Sequence, residues 1–234
     1  DRTMIGQGKR YLGFTVEVWS IAVLSALAVG VLAFVALVDG SPDERRLGYD
    51  FPAFYGAGTI VLEGDADQRY DPARQAEAQQ GLLGGEDGHL SFAYPPAFAL
   101  LYVPFAALPY ELAYVLYTAA MVAALVLAFR MLAPMLPESR LPAVVIAAIA
   151  FTWAPFFSVA VGQNTALVVL CLAWSWRAAE RRSPGEAGIP IGLLYFKPQY
   201  ASPMVGLWGV RARWRTALVA SAGAAAWWLV SAVL

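Results

Sequence analysis

Acidic residues in the first third of the chain are candidates for proton transfer. Asp50 stands between the first long apolar run and a second, shorter one. A carboxylate there could accept the proton of a sugar hydroxyl and turn that hydroxyl into a nucleophile; the alternative is a solvated loop acid or a helix N-cap. Nearby aspartates are rivals for the same role: Asp39, Asp43, Asp65, Asp67 and Asp71. Because Asp71 precedes a proline, we expect it only to cap a helix.

Lys197 is the candidate for holding an anion, because it interrupts the apolar run from Gly188 to Val210. An ionisable side chain inside a membrane is costly and is by default a functional hypothesis. Its ammonium group could hold a phosphate as a point charge. The alternative is a helix that ends earlier, with Lys197 extending to the membrane surface.

Two breaks between apolar runs could line a substrate cavity. The amides of Gln163 and Asn164 can donate to and accept from sugar hydroxyls, although Gly162-Gln163-Asn164 also fits an ordinary turn. Tyr94, followed by two prolines, could form a rigid aromatic edge beside a lipid or a sugar, or simply begin a helix. His89 is the only histidine, which gives a zinc site little support, although carboxylates of the same region could hold a hard divalent cation.

Other chemistries lack their signatures in this sequence. It contains no Walker loop and no dinucleotide glycine fingerprint, and no basic stripe that would indicate nucleic-acid binding. The single cysteine, Cys171, lies in an apolar run. This favours a small buried side chain over a disulfide or a thiolate metal site.

The composition indicates an integral membrane protein. Hydrophobic residues make up 59% of the chain and charged residues 14%, whereas soluble domains carry about 25% charged residues. So much apolar surface requires lipid as its solvent. We therefore predict an all-α fold, a polytopic bundle of transmembrane helices that forms a single domain over residues 1–234.

Charge asymmetry predicts the orientation of this bundle. The first span, about Val16 to Val38, has basic residues before it and acidic residues after it, which places the N-terminus in the cytoplasm. Residues 39–91 contain 11 of the 17 acidic residues but 4 of the 16 basic ones. This bias predicts a large extracytoplasmic loop, and our interpretation is a bacterial inner (plasma) membrane.

The loop is predicted to contain two helices. From Asp50 to Leu62 the larger apolar residues fall near one helical face, which predicts a helix lying at the membrane surface. These residues are Phe51, Phe54, Tyr55, Val61 and Leu62. Asp71-Pro72 should start a second helix that runs to about Gln80 and ends at Gly81.

The remaining apolar segments are predicted to lie in the membrane. Residues 92–108 are short and broken by prolines, so they should be only partly embedded. Basic residues flank 188–210 on both sides, so two half-helices meeting near Lys197-Pro198 fit the charge rule better than one crossing. A full span is predicted at residues 112–132. The chain is then predicted to return outward over 141–161 and inward over 165–176, and to start outward again at 217.

The order of these motifs resembles a known enzyme family. The chain resembles glycosyltransferase family 87, the polyprenyl-phosphate-mannose-dependent mannosyltransferases of the GT-C group. The resemblance rests on five motifs: Asp50-Phe51-xxx-Tyr55, Gly64 with Tyr70-Asp71-Pro72, Tyr94-Pro95-Pro96, Gly162-Gln163-Asn164 and Gly192-Leu193-xxx-Lys197-Pro198-Gln199.

The resemblance implies a membrane enzyme that transfers a mannose-like sugar from a polyprenyl-phosphate donor at the extracytoplasmic face. It implies that Asp50 is the general base, that Lys197 lies at the donor phosphate, and that Tyr94, Gln163 and Asn164 line the cavity. Such enzymes have further spans and a C-terminal outer loop, so we expect this chain to be an N-terminal portion. The alternative is a non-catalytic membrane subunit that scaffolds a larger complex; a transporter is disfavoured because the sequence shows no paired inverted repeat.

Overall fold

The computed structural model describes most of the chain from Asp50 onward. Residues 50–82, 89–132 and 161–234 are described, together with Gly48 and two short strands, β1 (Arg10–Tyr11) and β2 (Phe14–Thr15). The strands pair antiparallel, and every other regular element of the described residues is helical. The predicted spans at 16–38 and at 141–161, except its last residue, lie outside the described residues.

The first helix, α1 (Phe51–Leu62), occupies the predicted stretch, but it is packed inside the protein. Leu62 is exposed, whereas residues on several faces of the helix are buried. Burial on several faces differs from the single apolar face that was expected, and the small residues of the helix explain why; its position at a membrane surface stays a prediction. A Cβ added at Gly58 would lie 2.8 Å from the Tyr102 backbone, and one at Gly56 would lie 2.9 Å from Gln79 Cγ, so neighbours approach α1 closely on these sides.

The second helix, α2 (Pro72–Ala78), has the predicted start. The Asp71 side chain accepts a hydrogen bond from the Arg74 backbone N–H at 2.9 Å, so Asp71 is the N-cap and Pro72 is the first helical residue. The helix ends at Ala78, two residues before the predicted end. The buried Gln79 side chain then closes the loop by donating to the Leu90 carbonyl and accepting from the Leu90 N–H, both at 2.9 Å.

An irregular helical segment follows in the proline-rich region. A 3-10 helix at Pro96–Tyr102 leads into the single turn α3 (Val103–Ala106). Both pack against α1. The rings of Phe54 and Tyr102 stack with centroids 4.8 Å apart, so aromatic contacts join this segment to α1.

Two described helices are long and apolar enough to cross a membrane. They are α4 (Tyr110–Leu132), at the predicted position, and the last helix, α8 (Trp214–Val233). Between them comes α5 (Thr165–Glu180), which has 16 residues. At about 1.5 Å per residue, α5 is shorter than the roughly 30 Å hydrocarbon core, so its crossing stays a prediction.

The run around Lys197 is broken as predicted. Helix α6 (Pro184–Leu193) continues into a 3-10 turn at Leu194–Phe196, and α7 (Pro198–Val210) begins directly after Lys197. Lys197 itself has non-helical backbone angles, φ −129° and ψ 78°. The following proline lacks a backbone N–H and disfavours helix at the preceding residue, which explains the position of the break.

Two glycines bring the last helix against α6. A Cβ added at Gly223 would lie 2.6 Å from Gly192 Cα, so only glycine fits at this crossing of α6 and α8. Close contacts through small residues are typical of helix pairs in membranes. The crossing fixes α6, and thereby the position of the break that follows it.

Candidate active site

Asp50 lies at the N-terminal end of α1, where the chain is held by two backbone hydrogen bonds. Its N–H donates to the Val161 carbonyl at 2.8 Å, and the Phe51 N–H donates to the Gly48 carbonyl at 2.8 Å. The side chain is half-buried and makes no capping hydrogen bond to α1. The position is that of an N-cap, but the carboxylate does not cap the helix.

The turn at Gly162 packs directly against the start of α1. Gly162 has φ +75°, and a Cβ there would lie 2.6 Å from Phe51 Cβ and 2.9 Å from Phe51 N. Both the left-handed backbone and the close approach require glycine. The turn therefore positions Gln163 and Asn164 beside Asp50.

Lys197 reaches the same region from the break between α6 and α7. It is 9% exposed, so the alternative of a lysine extending to the surface is not what the structure shows. Its Nζ lies 5.8 Å from the centroid of the Tyr94 ring, within the range of a cation–π interaction.

The charges of Asp50 and Lys197 interact electrostatically. Burial raises the pKa of Asp50, and the positive charge of Lys197 partly opposes the rise. The ion pairs found among the described residues do not include one between these two groups, so the charges face each other without direct contact.

Asn164 is completely buried beneath these groups. Its amide lies close to the hydroxyl groups of Tyr94 and Tyr102. Even so, within the described part of the chain neither polar atom of Asn164 completes a well-formed hydrogen bond, and the Tyr102 and Tyr117 hydroxyls are buried without one too. These amide and hydroxyl groups are thus gathered in one buried polar cluster.

Four of the five sequence-derived site residues thus come together: Asp50, Lys197, Tyr94 and Asn164. Gln163 is half-buried beside them and is brought to the site by the backbone of the turn. Sequence reasoning missed Tyr102 and Tyr117. Tyr117 shares helical spacing with Tyr110 and Tyr114 in an apolar span, a pattern that could have pointed to it.

Asp39 and Asp43 lie outside the described residues, and the other acidic rivals of Asp50 are exposed or make contacts within the loop. Arg74 pairs with Glu63, with Asp65 at 3.4 Å and with Glu77 at 2.8 Å. Asp67 is exposed and Asp71 caps α2. Among the residues that the structure describes, no group of three or more His, Cys, Asp or Glu side chains is placed to hold a metal ion. The described residues therefore give no support to the hypothesis of a bound divalent cation.

The two long apolar helices among the described residues suggest association with a membrane. The sequence matches glycosyltransferase family 87 over residues 92–234, more than half of the chain, and the protein belongs to that family. It is thus a membrane-associated glycosyltransferase. No curated protein and no solved structure matches the chain. The matched region contains Tyr94, Asn164 and Lys197 but begins after Asp50.

Proposed function

We propose that this glycosyltransferase moves a mannose-like sugar from a polyprenyl-phosphate donor to an acceptor hydroxyl at the extracytoplasmic face of the membrane. Asp50 is the general base and Lys197 binds the donor phosphate. The observation that carries the proposal is the approach of a half-buried carboxylate and a buried ammonium group that do not pair directly with each other. Opposite charges that lie near each other without pairing suit an acceptor hydroxyl at the carboxylate and a phosphate at the ammonium group.

The reaction needs the two charges in different roles. The acceptor oxygen attacks the anomeric carbon, and the bond from that carbon to the phosphate oxygen breaks. The acceptor proton passes to the Asp50 carboxylate. Negative charge grows on the departing lipid phosphate, where the Lys197 ammonium stabilises it.

The raised pKa of Asp50 supports its assignment as the base. Burial makes the carboxylate a better proton acceptor than a solvated aspartate. The positive charge of Lys197 opposes that rise and so favours the ionised form. Asp67 is an exposed loop residue, which makes it the weaker candidate.

The surroundings of the two charges suit a sugar and a lipid. The amide of Asn164, which lies close to the Tyr94 and Tyr102 hydroxyls, and the ring of Tyr94 would supply polar and aromatic groups at a sugar site. Leu193 and Tyr200 lie on either side of Lys197 in sequence and are about half exposed. Apolar surface beside the phosphate-binding residue suits the hydrocarbon chain of a lipid donor.

Asp50→Asn tests the proposal directly. A positioned general base contributes about 10²–10⁴-fold in rate, so sugar transfer from a labelled polyprenyl-phosphate donor should fall by that factor in proteoliposomes. Asp67→Asn is the matched control and should retain activity. Lys197→Gln should lower both donor affinity and turnover. Normal transfer by the Asp50→Asn protein would show that Asp50 is not the base.

A further inference from the structure

A second charged cavity lies at the opposite end of the helices that build the candidate active site. It has a volume of about 210 Å³ and is lined by Arg130, Met131, Trp174, Arg177, Arg181 and Glu186. These residues come from the C-terminal ends of α4 and α5, the residue after α5, and the first turn of α6.

The same three helices connect the cavity to the candidate active site. Thr165, next to Asn164, begins α5, and Arg177 lies 12 residues later, about 18 Å along the helix at 1.5 Å per residue. Helix α6 runs in the opposite sense, from Glu186 at the cavity toward Lys197. The cavity is therefore remote from Asp50 and Lys197.

The cavity carries an excess of positive charge. Three arginines face one carboxylate, and the hydrogen bond found for Glu186 comes from Trp174 Nε1, at 3.3 Å, rather than from an arginine. In the part of the chain covered by the structure, no ion pair or side-chain hydrogen bond involves Arg130, Arg177 or Arg181. Their guanidinium groups are thus available to an anion, and guanidinium binds phosphate in a bidentate fashion.

We propose that this cavity binds the phosphate headgroup of an anionic glycerophospholipid. Three features select a lipid. The cavity lies at the end of a membrane-spanning helix, α4. Trp174 and Trp176 lie within the same turn as Arg177, as is usual for residues at a membrane interface. Basic pockets between helices at this depth are suited to anionic headgroups.

Lipid binding by the purified full chain tests the inference. Native mass spectrometry in detergent would compare phosphatidylglycerol with phosphatidylcholine for the wild type and for Arg177→Gln, Arg181→Gln and the double variant. Each lost arginine should weaken phosphatidylglycerol binding about five-fold, and phosphatidylcholine binding should not change. Arg215→Gln is the matched control, because Arg215 is exposed and does not line the cavity.

A second measurement separates the headgroup from free phosphate. Millimolar inorganic phosphate should fail to displace phosphatidylglycerol, because the acyl chains add binding to the membrane-facing surface. The double Lys variant, Arg177→Lys with Arg181→Lys, should keep more lipid binding than the double Gln variant because it retains the charge. Equal binding of both lipids by the wild type, an unaffected double Gln variant, or displacement by phosphate would each overturn the proposal.

Discussion

Gly162 links the stability of the protein to the position of Asp50, and Gly162→Ala tests that link. Alanine adds two separate costs. The first is the left-handed backbone at φ +75°, which costs about 1–2 kcal/mol for an L-residue with a side chain. The second is the new Cβ, placed 2.6 Å from Phe51 Cβ, well inside ordinary contact distance.

Phe51 cannot move aside easily. It is completely buried, and its ring lies 4.8 Å from that of Tyr117 and 5.6 Å from that of Tyr110. Overpacking of a filled core costs about 1–3 kcal/mol. Gly162→Ala should therefore destabilise the protein by about 2–5 kcal/mol in total.

Two other glycines provide matched controls. Gly81 has φ +74° and Gly64 has φ +93°, and an added Cβ at either meets no described atom within 4 Å. Alanine at these positions should show only the backbone cost of about 1–2 kcal/mol. The comparison separates the steric conflict at Phe51 from backbone strain.

Thermal unfolding in detergent, followed by tryptophan fluorescence, would rank the three variants. Gly162→Ala should have the lowest midpoint. It should also lose sugar transfer at temperatures where it remains folded. The Asp50 N–H donates a hydrogen bond to the carbonyl of Val161, the residue before Gly162, so a shift of the turn should displace Asp50. A displacement of a catalytic group by about 1 Å can cost 10²-fold in rate. Equal midpoints for all three variants would refute the steric reasoning.

Three further predictions concern the titration of the site, the topology and the loop. Sugar transfer should fall as pH drops through the raised pKa of Asp50, because the base must be ionised. Lys197→Gln should move this fall to higher pH, because it removes the positive charge that opposes the rise in the Asp50 pKa. A pH profile unchanged by the substitution would contradict the electrostatic interaction between the two residues. A cysteine at the exposed position Asp67 should react with an impermeant maleimide added outside intact cells, and labelling only after permeabilisation would reverse the predicted orientation. Gln79→Ala should lower the thermal midpoint, because it leaves two backbone groups at the loop closure unpaired at a cost of about 1–3 kcal/mol. The exposed Gln80→Ala is its control, and an equal effect of both would remove the role of the Gln79 hydrogen bonds.

Local features of the chain were sufficient to predict several elements. The Asp71-Pro72 pair set the start of α2, because a capping carboxylate and a fixed proline φ act within one turn. Pro198 and the basic flanks of its segment predicted the break at Lys197. The long apolar run of α4 was evident because a span depends on hydrophobic length, which a sequence contains directly.

Packing between residues distant in the sequence determined how the site is assembled and which faces of α1 are buried. The sequence identified Asp50 and Lys197 separately. The interaction between their charges depends on the Gly162 turn and on the crossing of α6 with α8. A pattern of large apolar residues suggested that α1 lies on a surface, whereas its small residues allow neighbours on several sides.

The roles of Tyr102 and Tyr117 were likewise set by tertiary structure. Both are tyrosines in apolar segments; the spacing of Tyr117 with Tyr110 and Tyr114 is a local signal, whereas Tyr102 has none. Their hydroxyls become notable because the fold buries them without well-formed hydrogen bonds near Asn164. Sequence thus determined where the backbone forms and breaks helices, since those preferences act over a few residues. Only the tertiary structure determined which polar groups share a buried space, since burial depends on segments that are distant in the sequence.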